Sequence, residues 1–156
     1  MVMLIEQLKQ SSLFQRLDTT ALADIATFCK LIELEDGDIL LRENDTENND
    51  IFLLLSGSLE IVSNRDENIS NEVAISVHEK DIFGEIAWLT GQRRTASVRA
   101  HGTSLVIRID GRSLHNFIED NPKTGCSILK SVALILSDRV KASNTLVKQI
   151  LWNSQI

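Results

Sequence analysis

The chain has 156 residues, of which 43% are hydrophobic and 24% charged, enough to bury a core without disulfide or metal staples. A net charge of −6 argues against a nucleic-acid binder, which needs a basic face, but leaves room for one small anion held by a single arginine. No apolar run reaches the roughly 20 residues of a membrane span, and the N-terminus MVMLIEQLKQ does not read as a signal peptide. Cys29 and Cys126 are too few for a disulfide framework and lack metal-ligand spacing, so the reading is a cytoplasmic protein with no metal.

Residues 2–10 and about 19–29 read as two short amphipathic helices. Asp18 stands as the N-cap of the second, and Leu22, Ile25, Ala26 and Phe28 lie near helical spacing. From 31 to 109 the pattern shifts to short strands: Leu31–Leu34, Ile39–Leu41, Ile51–Leu55, Leu59–Val62, Val73–Val77, Ser97–Ala100 and Leu105–Ile109. Asp36-Gly37, Ser56-Gly57, Asn64 to Asn71 and His101-Gly102 supply the turns between them. Many short strands with regular turns predict a mainly β fold, a barrel or jelly roll.

After Ile109 the helical period returns. Asp110 caps a short helix carrying Leu114, Phe117 and Ile118, and Asn121-Pro122 reads as an N-cap followed by proline at the first helical position. From there to about Trp152 the residues Leu129, Val132, Leu136, Val140, Ser143, Val147 and Ile150 repeat at spacings of three and four. Such a seam, roughly 45 Å long, fits either a helix lying on its own barrel or one that also pairs with a second copy as a homodimer. His78, His101 and His115 are widely separated, without cysteine or carboxylate companions, and read as solvated or structural.

Residues 83–100, FGEIAWLTGQRRTASVRA, carry the chemistry. Gly84 lets backbone approach a ligand, and the run Glu85–Leu89 is helix-compatible, so its first amides can face an anion. Glu85 is suited to accept hydrogen bonds from sugar hydroxyls, and Arg94, past Gly91, offers a fork suited to phosphate. An acid for ribose and an arginine for phosphate, one helical turn apart, make a nucleotide clamp.

Phe83, Gly84, Glu85, Ile86 and Ala87, then Arg94, Thr95, Ala96, Ser97 and Val98, closely resemble the phosphate-binding cassette of the cyclic-nucleotide-binding domain family. That family includes catabolite activators, protein kinase A regulatory subunits and cyclic-nucleotide-gated channels. The resemblance extends from about residue 10 to 150, with Gly57 after the apolar strand in IFLLLSGSLEIV, and implies a β-roll over about 31–109 with C-terminal helices over about 110–152 in a single domain, 1–156. It implies that Glu85 takes the ribose 2′-hydroxyl with the Gly84 amide nearby, that Arg94 pairs with the cyclic phosphate, and that Ile86, Ala87 and Thr95 serve its remaining oxygens. KASNTLVKQI resembles the base-contacting stretch of the activator family, which puts Ser143 and Asn144 at the purine and favours cyclic AMP over cyclic GMP.

Three departures stand out. Arg93 occupies a position that is often proline, Asn44 replaces a glycine usual in the loop around 42–50, and about 16 residues beyond Val140 leave no room for a DNA-binding domain. With no metal cluster or activated nucleophile in the sequence, the expected function is a non-enzymatic sensor in which ligand repositions the C-terminal helix toward an effector protein. The rival is a degenerate module that has lost its ligand and acts by protein contact.

Overall fold

Five helices and eight strands make up the described part of the computed structural model, which covers residues 1–63, 73–77 and 82–154. The predicted turn at Asn64 to Asn71, and His78, lie outside these residues. Helices α1 (Val2–Gln10) and α2 (Thr19–Ala26) pack together ahead of the strands. Asp18 caps α2 as read from the sequence, its Oδ1 accepting from the Ala21 amide at 2.8 Å. The helix stops at Ala26 rather than 29, because Cys29 already pairs with Ile109 as the first rung of a β ladder. Burial pushes the Cys29 thiol up to about 12, so it stays neutral at physiological pH.

The strands form two four-stranded antiparallel sheets. One is ordered β1 (Cys29–Leu34), β8 (Ser104–Ile109), β3 (Ile51–Ser56), β6 (Ile82–Phe83); the other is β2 (Ile39–Leu41), β7 (Ser97–Ala100), β4 (Leu59–Ser63), β5 (Val73–Val77). Strand β3 explains its own sequence. Phe52 and Leu54 point into the core between the sheets with Leu34, Leu59, Val98 and Val106, while Ile51 and Leu53 point the other way. That second face meets a helical core of Leu8, Phe14, Leu22, Ile25, Leu114, Ile128 and Val132, so the strand is apolar on both sides and reads as an unbroken run.

The two-residue strand β6 was not foreseen. It pairs Phe83 with Phe52 and Ile82 with Leu53, and the Phe52 and Phe83 rings stack at 5.4 Å. This rung delivers Gly84 to the edge of β3, beside the Asp50 carbonyl.

Helix α3 (Glu85–Thr90) is locked from below by Trp88, which is fully buried and donates from Nε1 to the Gly111 carbonyl at 3.0 Å. His115 stacks on it at 4.6 Å, with Nε2 3.1 Å from the Trp88 carbonyl oxygen. His115 is thus structural, as read, and it ties α3 to α4 (Gly111–Asp120). Asp110 caps α4 through the Ser113 amide at 2.7 Å, and hydrogen bonding from the Ser113 hydroxyl, then from that amide, holds its carboxyl below the ordinary value. Asn121 is the N-cap residue of α5 (Pro122–Asn153) with Pro122 in its first turn, as read, but its side chain does not make the cap bond. Its Nδ2 donates back to the Phe117 carbonyl. The side chain closes the end of α4 instead.

Helix α5 is continuous for 32 residues, and Gly125 is what lets it lie against α4. A Cβ there would meet Ile118 atoms at 2.7 and 2.8 Å, closer than packed atoms allow. Gly125, Ile128, Ser131 and Val132 are buried, whereas every residue from 137 to 153 is exposed. The seam therefore divides: Val132 and the partly buried Leu136 face the chain's own core, while Val140, Val147 and Ile150 face solvent.

Candidate functional site

Gly84 is the pivot between β6 and α3. Its φ of 83° is left-handed, and a Cβ there would stand 2.8 Å from both Arg94 Nη1 and the Asp50 carbonyl oxygen. Only a glycine lets the guanidinium cross the backbone at that point. The first intrahelical bond of α3 runs from the Trp88 amide to the Gly84 carbonyl, which leaves the amides of Glu85, Ile86 and Ala87 outside the helical ladder.

Arg94 is 3% exposed. Its Nη1 donates to the Gly84 carbonyl at 3.1 Å, and Nη2 donates to Asn48 Oδ1 at 2.9 Å and to the Asp50 carbonyl at 3.0 Å. The guanidinium carbon lies 5.9 Å from the centre of the Phe52 ring. All three acceptors are neutral, and among the described residues no carboxylate makes an ion pair with Arg94. Burial accordingly pulls its pKa below the ordinary value, offset in part by the fields of Asp50, Asp45 and Glu85. Asp50 is near but committed: its carboxylate binds Arg108 Nε and the Gly111 amide. A buried cation with neutral neighbours and further N–H donors to give is an incomplete arrangement, and one anion would complete it.

The loop before β3 is shaped around the same arginine. The Arg94 amide donates to the Asp45 carbonyl at 3.0 Å, and the Asn44 amide donates to the Arg94 carbonyl at 2.9 Å. Asn44 has φ 68°, the left-handed value that a glycine would adopt freely and that asparagine tolerates better than other side chains. The departure noted from the sequence thus preserves the turn. Ser97 Oγ accepts from the Glu43 amide at 2.9 Å, and Thr95 is exposed beside Arg94.

Glu85 is buried as well, and it is paired. Arg139 of α5 donates from Nη1 to Glu85 Oε1 and from Nη2 to the Ile82 carbonyl. This contact was missed from the sequence, as were the roles of Asn48 and Asp50, because a lone arginine on a polar helix and an NDTENND loop carry no distinctive spacing. The site thus gathers Gly84, Glu85, Ile86, Ala87, Arg94 and Thr95 around the start of α3. Ser143 and Asn144 are not drawn in: both are exposed on α5, and among the described residues neither bonds to the cassette. Ser143 does lie four residues beyond Arg139, on the same helix face and roughly 6 Å further along the axis.

Comparison with known proteins bears on the family and the fold. The family model described as "Cyclic nucleotide-binding domain" matches residues 31–121. The beta-3 subunit of a cyclic nucleotide-gated channel from Canis lupus familiaris is 24% identical over 136 residues, which is 85% of this chain and 17% of the channel subunit. The chain therefore spans about a sixth of that relative. Among solved structures, the regulatory domain of Toxoplasma gondii protein kinase A with cAMP is 25% identical at a TM-score of 0.65, over 76% of this chain and 44% of that one. A cyclic nucleotide-binding domain from Methylobacillus flagellatus superposes at a TM-score of 0.77 with 19% identity, over 92% of this chain and 80% of that one, and shows the shared β-roll fold. Among the described residues, no helix is long and apolar enough to cross a membrane.

Proposed function

The chain belongs to the cyclic nucleotide-binding domain family, and from that premise we propose that it is a cytoplasmic, non-catalytic sensor that grips a cyclic nucleotide and reports it through α5. The observation that carries this reading is Arg94, buried and held by neutral oxygens, with donors left for an anion. In this reading the cyclic phosphate takes Arg94 and the amides of Ile86, Ala87 and Thr95, and the ribose 2′-hydroxyl takes Glu85 beside the Gly84 amide. No metal is involved.

The base falls to Ser143 and Asn144. With Arg139 anchored at Glu85, Ser143 occupies the next turn on the same face, where a purine extending from the ribose would lie. We favour cyclic AMP, the ligand named for the Toxoplasma relative. One hydrogen bond would set the preference over cyclic GMP at roughly 1 kcal/mol, or about tenfold or less. Calorimetry with cyclic AMP, cyclic GMP and plain AMP tests the reading, with cyclic AMP bound, cyclic GMP bound somewhat more weakly and AMP weakest. A cyclic GMP preference that disappears in Thr95→Ala would reverse the choice of base, and no heat from either cyclic nucleotide would sink the function. That last outcome would favour a module working by protein contact alone, for which the pairing of Glu85 with Arg139 is the supporting observation.

Signal output follows from the same pair. Arg139 joins α5 to the carboxylate that the ribose would use, so a ligand arriving there shifts the helix between states and toward an effector. The exposed end of α5 carries Val140, Leu146, Val147, Ile150, Leu151 and Trp152, apolar surface that the described residues leave uncovered. We assign it to a parallel homodimer. Light scattering should give a dimer at tens of micromolar and a monomer for Val147→Glu with Ile150→Glu; a monomeric wild type, with and without nucleotide, would return the helix to its own domain.

A further inference from the structure

We propose that Asn48 is the positioning residue of Arg94, and that its neutrality keeps the buried guanidinium's charge available for a single anionic ligand. Asn48 Oδ1 lies 2.9 Å from Arg94 Nη2 and also accepts from the Asp50 amide at 3.3 Å. Both neighbours are donors, so the atom between them must be the amide oxygen and not the amide nitrogen. The side chain is therefore held by the loop while it holds the arginine. Together with the carbonyls of Gly84 and Asp50, it fixes the fork by three acceptors and leaves the other donors free.

The charge of these acceptors matters more than their number. An aspartate at position 48 would present oxygen to the same two donors. It would convert a neutral hydrogen bond into a buried ion pair and stabilise the empty protein. It would also cancel the charge that an incoming anion needs. The neighbouring carboxylate of Asp50 is turned onto Arg108 and the Gly111 amide. Loop and strand thus surround Arg94 with carbonyl oxygens while directing the adjacent acid elsewhere, an arrangement that favours binding over the stability of the unliganded state.

Two variants test this, and the ligand arm rests on the function proposed above. Asn48→Asp should melt several degrees higher than wild type without ligand, yet bind cyclic AMP at least tenfold more weakly. A residue with only a structural role would move both quantities in the same direction. Asn48→Ala should melt lower, bind several-fold more weakly, and show faster rotation of the Arg94 guanidinium than ligand-free wild type when the two are compared by nitrogen-resolved NMR. If Asn48→Asp binds as tightly as wild type or gains no stability, the charge argument fails. If the Arg94 resonances of Asn48→Ala match wild type, the positioning role fails. Should wild type bind no cyclic nucleotide, the functional reading falls, while the melting and NMR results still decide what Asn48 does to Arg94.

Discussion

Replacing Arg94 with alanine is expected to weaken cyclic nucleotide binding by well over tenfold, a loss of about 2–5 kcal/mol, and to leave the fold in place. The size follows from burial. A guanidinium exposed to water would contribute little to an ion pair, but Arg94 is 3% exposed and loses few further waters when an anion arrives. Removing it withdraws a pre-oriented fork whose position is already fixed by Gly84, Asn48 and Asp50. The fold survives because the core of β3 and β6, with Phe52 stacked on Phe83, does not depend on the guanidinium. Arg94→Lys should behave nearly as badly, since a point charge on a flexible stem cannot use three acceptors arranged for a planar fork. Calorimetry beside thermal unfolding separates the two effects, and unchanged affinity in Arg94→Ala would remove the arginine from the site.

Much of this site could be read in the residues themselves, and the division between legible and hidden is physical. Strand positions followed from alternation and turn residues, and the cassette from glycine, acid and arginine at close spacing, because those signals are local in sequence. Strand β6 escaped notice since two residues carry no period; only its pairing with Phe52 and Leu53 makes it a strand. Cys29 went to a strand for a similar reason, as its ladder partner Ile109 is 80 residues away. Asn48 and Asp50 looked like ordinary loop residues. Their importance comes from Arg94 being folded back over them, which no spacing rule encodes. The seam on α5 was visible as a repeat, but its split at about residue 137 depends on where the body of the protein ends.

Arg139 was the least legible residue of all, and it shapes the second large expectation. A 2′-deoxy cyclic nucleotide should bind wild type roughly ten- to a hundredfold more weakly than the parent, the 1.5–3 kcal/mol typical of a hydrogen bond to a charged acceptor. In Glu85→Ala the two ligands should become nearly equal, because the hydroxyl then has no carboxylate to address. The Glu85–Arg139 pair does not forbid this contact: Arg139 takes Oε1, and among the described residues Oε2 is left to receive the ribose. The arginine also makes the acceptor dependable, since the buried carboxylate is already paired and oriented before the ligand arrives. Arg139→Ala should therefore reduce the discrimination between the two ligands without abolishing it, placing this variant between wild type and Glu85→Ala. If Glu85→Ala discriminates as strongly as wild type, the hydroxyl is read elsewhere. If instead Arg139→Ala binds the parent nucleotide more tightly than wild type, the ion pair competes with the ribose, and α5 must release Glu85 for the ligand to enter.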